Sequence, residues 1–507
     1  EIIQRDWSSD VCSSDLLDPD ATTPRAGGLA MTTATVVGSG PNGLAAAIRL
    51  AQAGIAVTVV EAEPTIGGGA RTEELTVAGV RHDVGATAMP GAMSSPFLRS
   101  LRLERHGLRW LRHEAVLAHP LDAPADGSPA TAALLWEDVS RTAQGLGRDG
   151  AAWVRAFGPL ARRYDEVVHD TFAPLAHWPR HPLTMARVGM RAALPTTWFT
   201  RRFADEPARA LFAGIAAHGF TRHDTPLSAA AGVMLTAAAH DAGWPIVEGG
   251  SAGLITALEC ELRSLGGRIE TGRRVVDAAA LGTDLVLLSV PPRAALRMLG
   301  GDVPARTRRA WSRFRPGPAA FKVDLAIEGD VPWSAPDARR AGVLHLGGSS
   351  AEIAAAERAA VAGRMPERPF VLVGQQYLAD PSRSAGGINP LWAYAHVPAG
   401  FEGDAAPAVL AQIERFAPGF RDRIVATHVR GPRALESHNG ALLGGDIGGG
   451  ANTARQLVAR PRLGFNAYRG RRGRVYLCGS STPPGGGVHG MAGFHAAETA
   501  LRDLGAI

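Results

Sequence analysis

The stretch Thr35 to Glu61, TVVGSGPNGLAAAIRLAQAGIAVTVVE, constrains this chain more than any other. A short β-branched strand at Thr35 to Val37 runs into Gly38, Gly40 and Gly43, the G-x-G-x-x-G spacing of a dinucleotide fingerprint. The first glycine permits a tight turn. The second lets backbone approach a pyrophosphate, and the third lets the next helix lie close to the strand. Pro41 and Asn42 open that helix, predicted over about 42–53, and its amide-bearing N-terminus favours an anion. Gly54 predicts a left-handed stop. Ile55 to Val60 then reads as a parallel strand, and Glu61 at its end is placed to accept both ribose hydroxyls of an adenosine. A carboxylate there disfavours a 2′-phosphate, which selects FAD or NAD over NADP.

Residues 1–30 do not resemble the rest. Asp6 to Leu16, DWSSDVCSSDL, back-translates to the end of a common short-read sequencing adapter, so this segment is expected to be non-native or a disordered tail, with Met31 as the true start. Setting it aside makes the net charge more basic than the +5 of the whole chain. All but one of the 53 lysine-plus-arginine residues are arginine, as a GC-rich coding bias produces, so the charge carries no argument for nucleic acid. Beyond Met31 only Cys260 and Cys478 occur, without C-x-x-C spacing. This argues against a dithiol redox centre or a zinc–thiolate site and is natural in a reducing cytosol. No stretch supplies the ~18 uninterrupted apolar residues of a membrane span.

Downstream, the nucleotide unit is expected to occupy 31–91 and to be re-entered at 241–300 and 441–507. Between these parts fall a helical insertion at 92–240 and an antiparallel-sheet substrate domain at 301–440. Gly67, Gly68, Gly69 and Arg71 follow the second strand, where backbone and a guanidinium can crowd a pyrophosphate. Thr72 to Val80 alternates like a short hairpin. Trp178 to Phe203 mixes Trp178, Trp198 and Phe199 with five arginines, a composition suited to an anionic membrane face or to helices over a core. Val275, after GGRIETGRR, marks a strand end that can present backbone to an adenine. The C-terminal RVYLCGSSTPPGGGVHGMAGFHAAETALRDL reads as strand, Gly479, loop and a helix beginning near Gly490, a second anion or dipole site.

With both ends in view, the chain from Thr35 to Leu504 resembles the phytoene-dehydrogenase-like flavoproteins, the group of phytoene desaturases, carotenoid isomerases and retinol saturases. FKVDLAIEGDVPWSAPDARRAG, ERPFVLVGQQ, LWAYAHVP, GGDIGGG and LCGSSTPPGGGVHGMAGFHAA look most like the subgroup of pyridine nucleotide-disulfide oxidoreductase domain-containing protein 2. The resemblance implies an α/β fold: a Rossmann-like FAD-binding domain of the glutathione-reductase/amine-oxidase type with an inserted α+β substrate domain. It implies noncovalent FAD, with Gly38, Gly40, Gly43 and Glu61 on the ADP half, Gly68, Gly69 and Arg71 on the phosphates, and Gly479, Gly490 and Met491 near the ring. The expected activity is oxidoreduction of an elongated lipophilic substrate, by desaturation, saturation or isomerisation.

No second strand-glycine-helix fingerprint follows, so oxygen, a quinone or the substrate itself is the expected electron partner. Catalytic side chains are few. Lys322 is the only lysine, and it shares a strand face with Asp324. Its place resembles that of the lysine that holds a water over the flavin in amine oxidases, and a structural salt bridge with Asp324 is the alternative. His82 and His489 flank the glycine loops, as flavin or substrate contacts or as structural histidines. A flavin amine oxidase and a flavin-free lipid escort on the same fold are the competing readings. The expected location is cytoplasmic, with peripheral membrane contact, and no metal is called for.

Overall fold

The computed structural model describes residues 32–507 except 175, 176, 302, 463, 465, 466, 472 and 473; the residue 1–30 expectation lies outside it. Two sheets organise the molecule. A six-stranded sheet runs, in order, Arg469–Arg471, Val475–Leu477, Leu285–Leu288, Thr33–Val37, Ala56–Val60, Arg268–Glu270. All neighbours are parallel except the first pair. The central strand, Thr33–Val37, is apolar and almost wholly buried, as a parallel sheet covered on both faces requires. Its neighbours come from chain segments more than two hundred residues apart. The segment between Glu270 and Leu285 contains no strand, only a short turn of 3₁₀ helix at Ala279–Leu281.

The helix Pro41–Gln52 crosses one face of this sheet and is gripped from two sides. A Cβ on Gly43 would lie 1.9 Å from the Gly38 carbonyl oxygen, and one on Gly493 of the C-terminal helix, Met491–Asp503, would lie 1.8 Å from the Asn42 carbonyl oxygen. Only glycine permits either approach. Gly54 sits at φ +82° and ends the helix as expected.

The seven-stranded sheet runs Ile424–Arg430, Ala319–Glu328, Ile388–Val397, Val371–Gly374, Ala341–Leu346, Ala115–Pro120, Ala132–Leu135. In Ala319–Glu328 the alternation divides the sheet faces. Phe321, Val323, Leu325 and Ile327 enter a core with Val409, Ile413 and Phe416 of the helix Ala406–Phe416, whereas Lys322 and Asp324 face the other way. The last two strands correct the expectation that 92–240 is helical. The buried run AVLAHP pairs parallel with Ala341–Leu346 and turns back through 121–131 into the edge strand. Pro120 ends that strand and Pro124 lies in its connection. The remainder, from Val139 to Ala242, is helical, around an aromatic cluster in which the Phe199 and Phe212 ring centroids stack at 4.0 Å. Among the described residues no helix is long and apolar enough to cross a membrane.

Overpacking of a close backbone contact typically costs ~1–3 kcal/mol. Gly43→Ala and Gly493→Ala are each expected to lose at least about that much in urea unfolding. Gly189→Ala, in a helix where an added Cβ meets nothing within 4 Å, is expected to be neutral or stabilising by up to about 1 kcal/mol.

Candidate functional site

The nucleotide cradle is built at the C-terminal edge of the parallel sheet. Gly38, at φ +99°, donates its N–H to Val60 O at 2.8 Å and turns the chain into the helix. A Cβ on Gly68 would lie 3.1 Å from Gly40 Cα, so the two glycine loops pack backbone against backbone. Gly67 N donates to Ser39 Oγ at 3.1 Å and holds the loops in register. Beside this contact Arg71 is buried. Its Nη1 lies 3.3 Å from His438 Nε2, while its Nε has no partner, and neither has the buried Asn42 Oδ1. Two glycine loops with partly exposed backbone, edged by an unpartnered guanidinium nitrogen, fit a pyrophosphate.

Glu61 is more committed than its position at the strand end suggested. One carboxylate oxygen accepts the Ser39 N–H at 2.9 Å and the Ser39 hydroxyl at 2.6 Å, and the other accepts Glu63 N–H at 3.0 Å. A carboxylate has about four acceptor sites. Glu61 therefore braces the fingerprint turn and retains capacity for one ribose hydroxyl, where two were expected. Val275 packs with Val37, Val60 and Leu288 beside it.

The C-terminal loop completes the site. Gly479 follows Cys478, whose N–H donates to Leu288 O at 3.0 Å, and Gly479 O accepts from the Thr482 amide and hydroxyl. Gly490, at φ +69°, starts the C-terminal helix, and Met491 is buried behind it. Met491 N–H donates to His489 Nδ1 at 3.0 Å, which leaves His489 Nε2 to donate to Gly485 O at 3.2 Å. Burial lowers the His489 pKa to about 4, so the ring is neutral. With both nitrogens spent on backbone it caps the helix, and it has no free atom for the flavin or substrate contact that its position suggested.

Lys322 stands on the inward face of the seven-stranded sheet, ion-paired with Asp324. Both are buried, and Asp324 Oδ2 has no partner. Burial raises the Asp324 carboxyl above the usual carboxylate range against the pull of Lys322. His82 Nδ1 lies 3.7 Å from Asp324 Oδ1, and its Nε2 is 2.8 Å from Thr76 Oγ1. Burial first, then Lys322, lowers the His82 pKa to about 3. On the next strand Arg430 and His428 stand opposite Lys322 and Asp324; Arg430 Nη2 donates to Glu73 at 3.2 Å, and its Nη1 is unpartnered. Glu73 lies 3.7 Å from His438, which reaches Arg71. Polar groups thus lead from the phosphate cradle to Lys322. Along the strand on the other side, Trp392, Tyr394 and His396 project on the same face as layered rings. The Trp392–Tyr394 centroids are 5.9 Å apart at 17°, and Phe220 lies 3.8 Å over His396.

Sequence reasoning missed the strut between these parts. Arg383, fully buried, donates Nη1 to Asp83 at 2.5 Å, Nε to Asp380 at 3.0 Å and Nη2 to Val247 O at 2.8 Å. Asp83 also accepts from Thr72 Oγ1 and Ser251 N–H. Against the cost of burial, the guanidinium holds the Asp83 carboxyl below its ordinary range. Glu73, Arg430, His438 and Asn439, whose amide approaches Gly68 and Gly69, were likewise not foreseen. A surface cleft of about 500 Å³ lined by Asp122, Glu367, Arg368, Gln412 and Arg415 contains none of these groups.

These features define a Rossmann-like nucleotide-binding domain within a mixed α/β fold of the FAD-oxidoreductase type. A family model for the NAD(P)-binding Rossmann-like domain matches residues 36–101. The chain is 25% identical to pyridine nucleotide-disulfide oxidoreductase domain-containing protein 2 of Rattus norvegicus, over 93% of each chain. Its fold matches a solved variant of putrescine oxidase (TM-score 0.61, 18% identity, covering 94% of this chain and 100% of that one). It also matches an oxidoreductase from Methanosarcina mazei (TM-score 0.58, 16% identity, 93% and 100%).

Breaking a buried ion pair from one side typically costs ~3–5 kcal/mol; Arg383→Met is expected to show such a loss in denaturant unfolding. The folded-state pKa values of His82 and His489 lie below the unfolded value of about 6.5, so between about 3 and 6.5 the unfolded chain binds more protons. Stability is therefore expected to fall as pH drops through that window, and urea midpoints measured from pH 7.5 to 5 should show a shallower decline in His82→Asn.

Proposed function

We propose that the chain is an oxidoreductase that binds FAD noncovalently and exchanges hydride with an elongated lipophilic substrate of polyene or isoprenoid type. The observation that carries the cofactor is the close backbone approach of the two glycine loops at Gly40 and Gly68, edged by the buried, unpartnered Arg71 Nε. Gly38, Gly40, Pro41, Asn42 and Gly43 would hold the pyrophosphate with Gly68, Gly69 and Arg71; Glu61 would take a ribose hydroxyl, and Val275 would flank the adenine. Gly479, Gly490 and Met491 would lie at the ring end. A bound flavin supplies two-electron chemistry, for which the protein need only position the substrate and exclude water.

The inward sheet face supports the substrate class. The layered rings Trp392, Tyr394 and His396, with Phe220 stacked on His396, stand beside the buried Lys322–Asp324 pair. Lys322 would hold a water or a substrate polar atom. The same observation favours a second reading, oxidation of an amine held between Trp392 and Tyr394. The electron acceptor would be oxygen or a quinone. At the surface, Trp178 (89% exposed), Leu183, Met190 and Trp198, interspersed with arginines, support peripheral contact with an anionic membrane.

Purified protein is expected to carry FAD released by heat without proteolysis. Arg71→Ala should lower flavin occupancy by at least about tenfold, a loss of ~1.4 kcal/mol, whereas Lys322→Met should retain flavin and lose turnover. Anaerobic photoreduction followed by exposure to polyenes, primary amines, quinones and oxygen identifies the partner: reoxidation by a polyene supports the first reading, and bleaching of oxidised protein by an amine supports the second. Protein that neither contains nor takes up flavin would leave the escort reading.

A further inference from the structure

The connection between the helices Tyr164–Thr171 and Pro182–Ala192 carries an arrangement that the nucleotide site does not use. Asp170 is fully buried at its side chain, and its two oxygens accept the backbone N–H groups of Arg180 and His181, each at 2.9 Å. The two amides fix the orientation of the carboxylate.

Three imidazoles converge on that anion. His169 Nδ1 is 3.4 Å from Oδ1, His177 Nε2 is 3.6 Å from the same oxygen, and His181 Nδ1 is 3.4 Å from Oδ2. Charge-assisted hydrogen bonds of this kind close to about 2.7–2.9 Å; these approaches are longer. They match the edge of a coordination tetrahedron, since metal–ligand bonds of about 2.0–2.1 Å place adjacent donor atoms about 3.3 Å apart. The donor atoms of His169, Asp170 and His181 all lie within 4.8 Å of one another. His181 Nδ1 is buried without a hydrogen-bond partner. His177 stands at the rim, its Nδ1 2.7 Å from the Pro174 carbonyl oxygen.

We infer that His169, Asp170 and His181 form a site for a divalent cation of the zinc class. Imidazole and carboxylate donors suit Zn²⁺ and Co²⁺. With three protein ligands the site keeps its fourth position for water. It staples the loop bearing the exposed Trp178 and tethers it near the C-terminal helix, because Phe172, two residues past Asp170, packs 5.2 Å from His489 and its carbonyl oxygen lies 2.6 Å from His495 Nε2.

Full-length protein without a polyhistidine tag, stripped by chelator, is to be titrated with Co²⁺ and then Zn²⁺. One equivalent of Co²⁺ is expected to bind with the visible bands of a tetrahedral nitrogen–oxygen site, to be displaced by one equivalent of Zn²⁺, and to raise the melting temperature. His169→Gln and His181→Gln should each weaken binding by at least about tenfold. Substoichiometric binding, octahedral spectra or unchanged affinity in His181→Gln would overturn the inference, and the wild-type titration decides it alone if a variant does not fold. Flavin content, read from the same samples, reports separately on the cofactor proposal.

Discussion

The helix Pro41–Gln52 can occupy its place only because backbone meets backbone on two sides, at Gly43 against Gly38 and at Gly493 against Asn42. Both contacts are shorter than any side chain allows. The first sets the helix axis against the central strand and brings its N-terminus to the contact of Gly40 with Gly68. The second brings the C-terminal helix Met491–Asp503 onto the same helix. One element thereby fixes the relation between the fingerprint turn and the C-terminal loop. The strands that follow, from Arg268 and Leu285 and later Val475, add to a sheet whose register has already been set around Thr33–Val37.

The second constraint is electrostatic. Burying Arg383, Asp83, Lys322 and Asp324 is costly, and apolar replacements of similar shape often stabilise more. What the charged groups add is direction. Arg383 joins Asp83, Asp380 and the Val247 carbonyl, so the hairpin after the glycine loop cannot shift relative to the large sheet without breaking the Arg383–Asp83 pair. Asp83 neighbours His82, which faces the Lys322–Asp324 pair. A partner of the strut and a neighbour of the candidate reactive pair are thus consecutive residues on one short strand, His82–Asp83.

This explains which parts were legible in the sequence. The fingerprint was readable because its glycines, strand and helix are local. Lys322 stood out by rarity in an arginine-rich chain. Arg383 and Arg430 did not, because nothing local distinguishes a buried arginine from the many solvated ones. Glu61 was placed correctly but its partners were not, since Ser39 becomes its neighbour only once the turn closes. His489 was noticed for its position, yet its role depends on the Met491 amide and the Gly485 carbonyl, whose geometry follows from the loop's path. Ala115–Pro120 was misread because a strand paired to a partner more than two hundred residues away leaves only a short apolar run, and such a run does not distinguish strand from helix.

The contrast between His489 and Lys322 bears on where chemistry can reside. A histidine with both nitrogens bound to backbone cannot change protonation without losing a helix cap, so its neutrality is enforced by the fold. The Lys322–Asp324 pair is different: one carboxylate oxygen is unpartnered, the carboxyl is raised by burial, and Arg430 across the strand keeps a free Nη1. A proton or a water can be exchanged there without unmaking secondary structure, because the strands are held by their own ladders. Unspent hydrogen-bonding capacity, rather than the presence of an ionisable group, marks the inward sheet face as the place where a substrate would be handled.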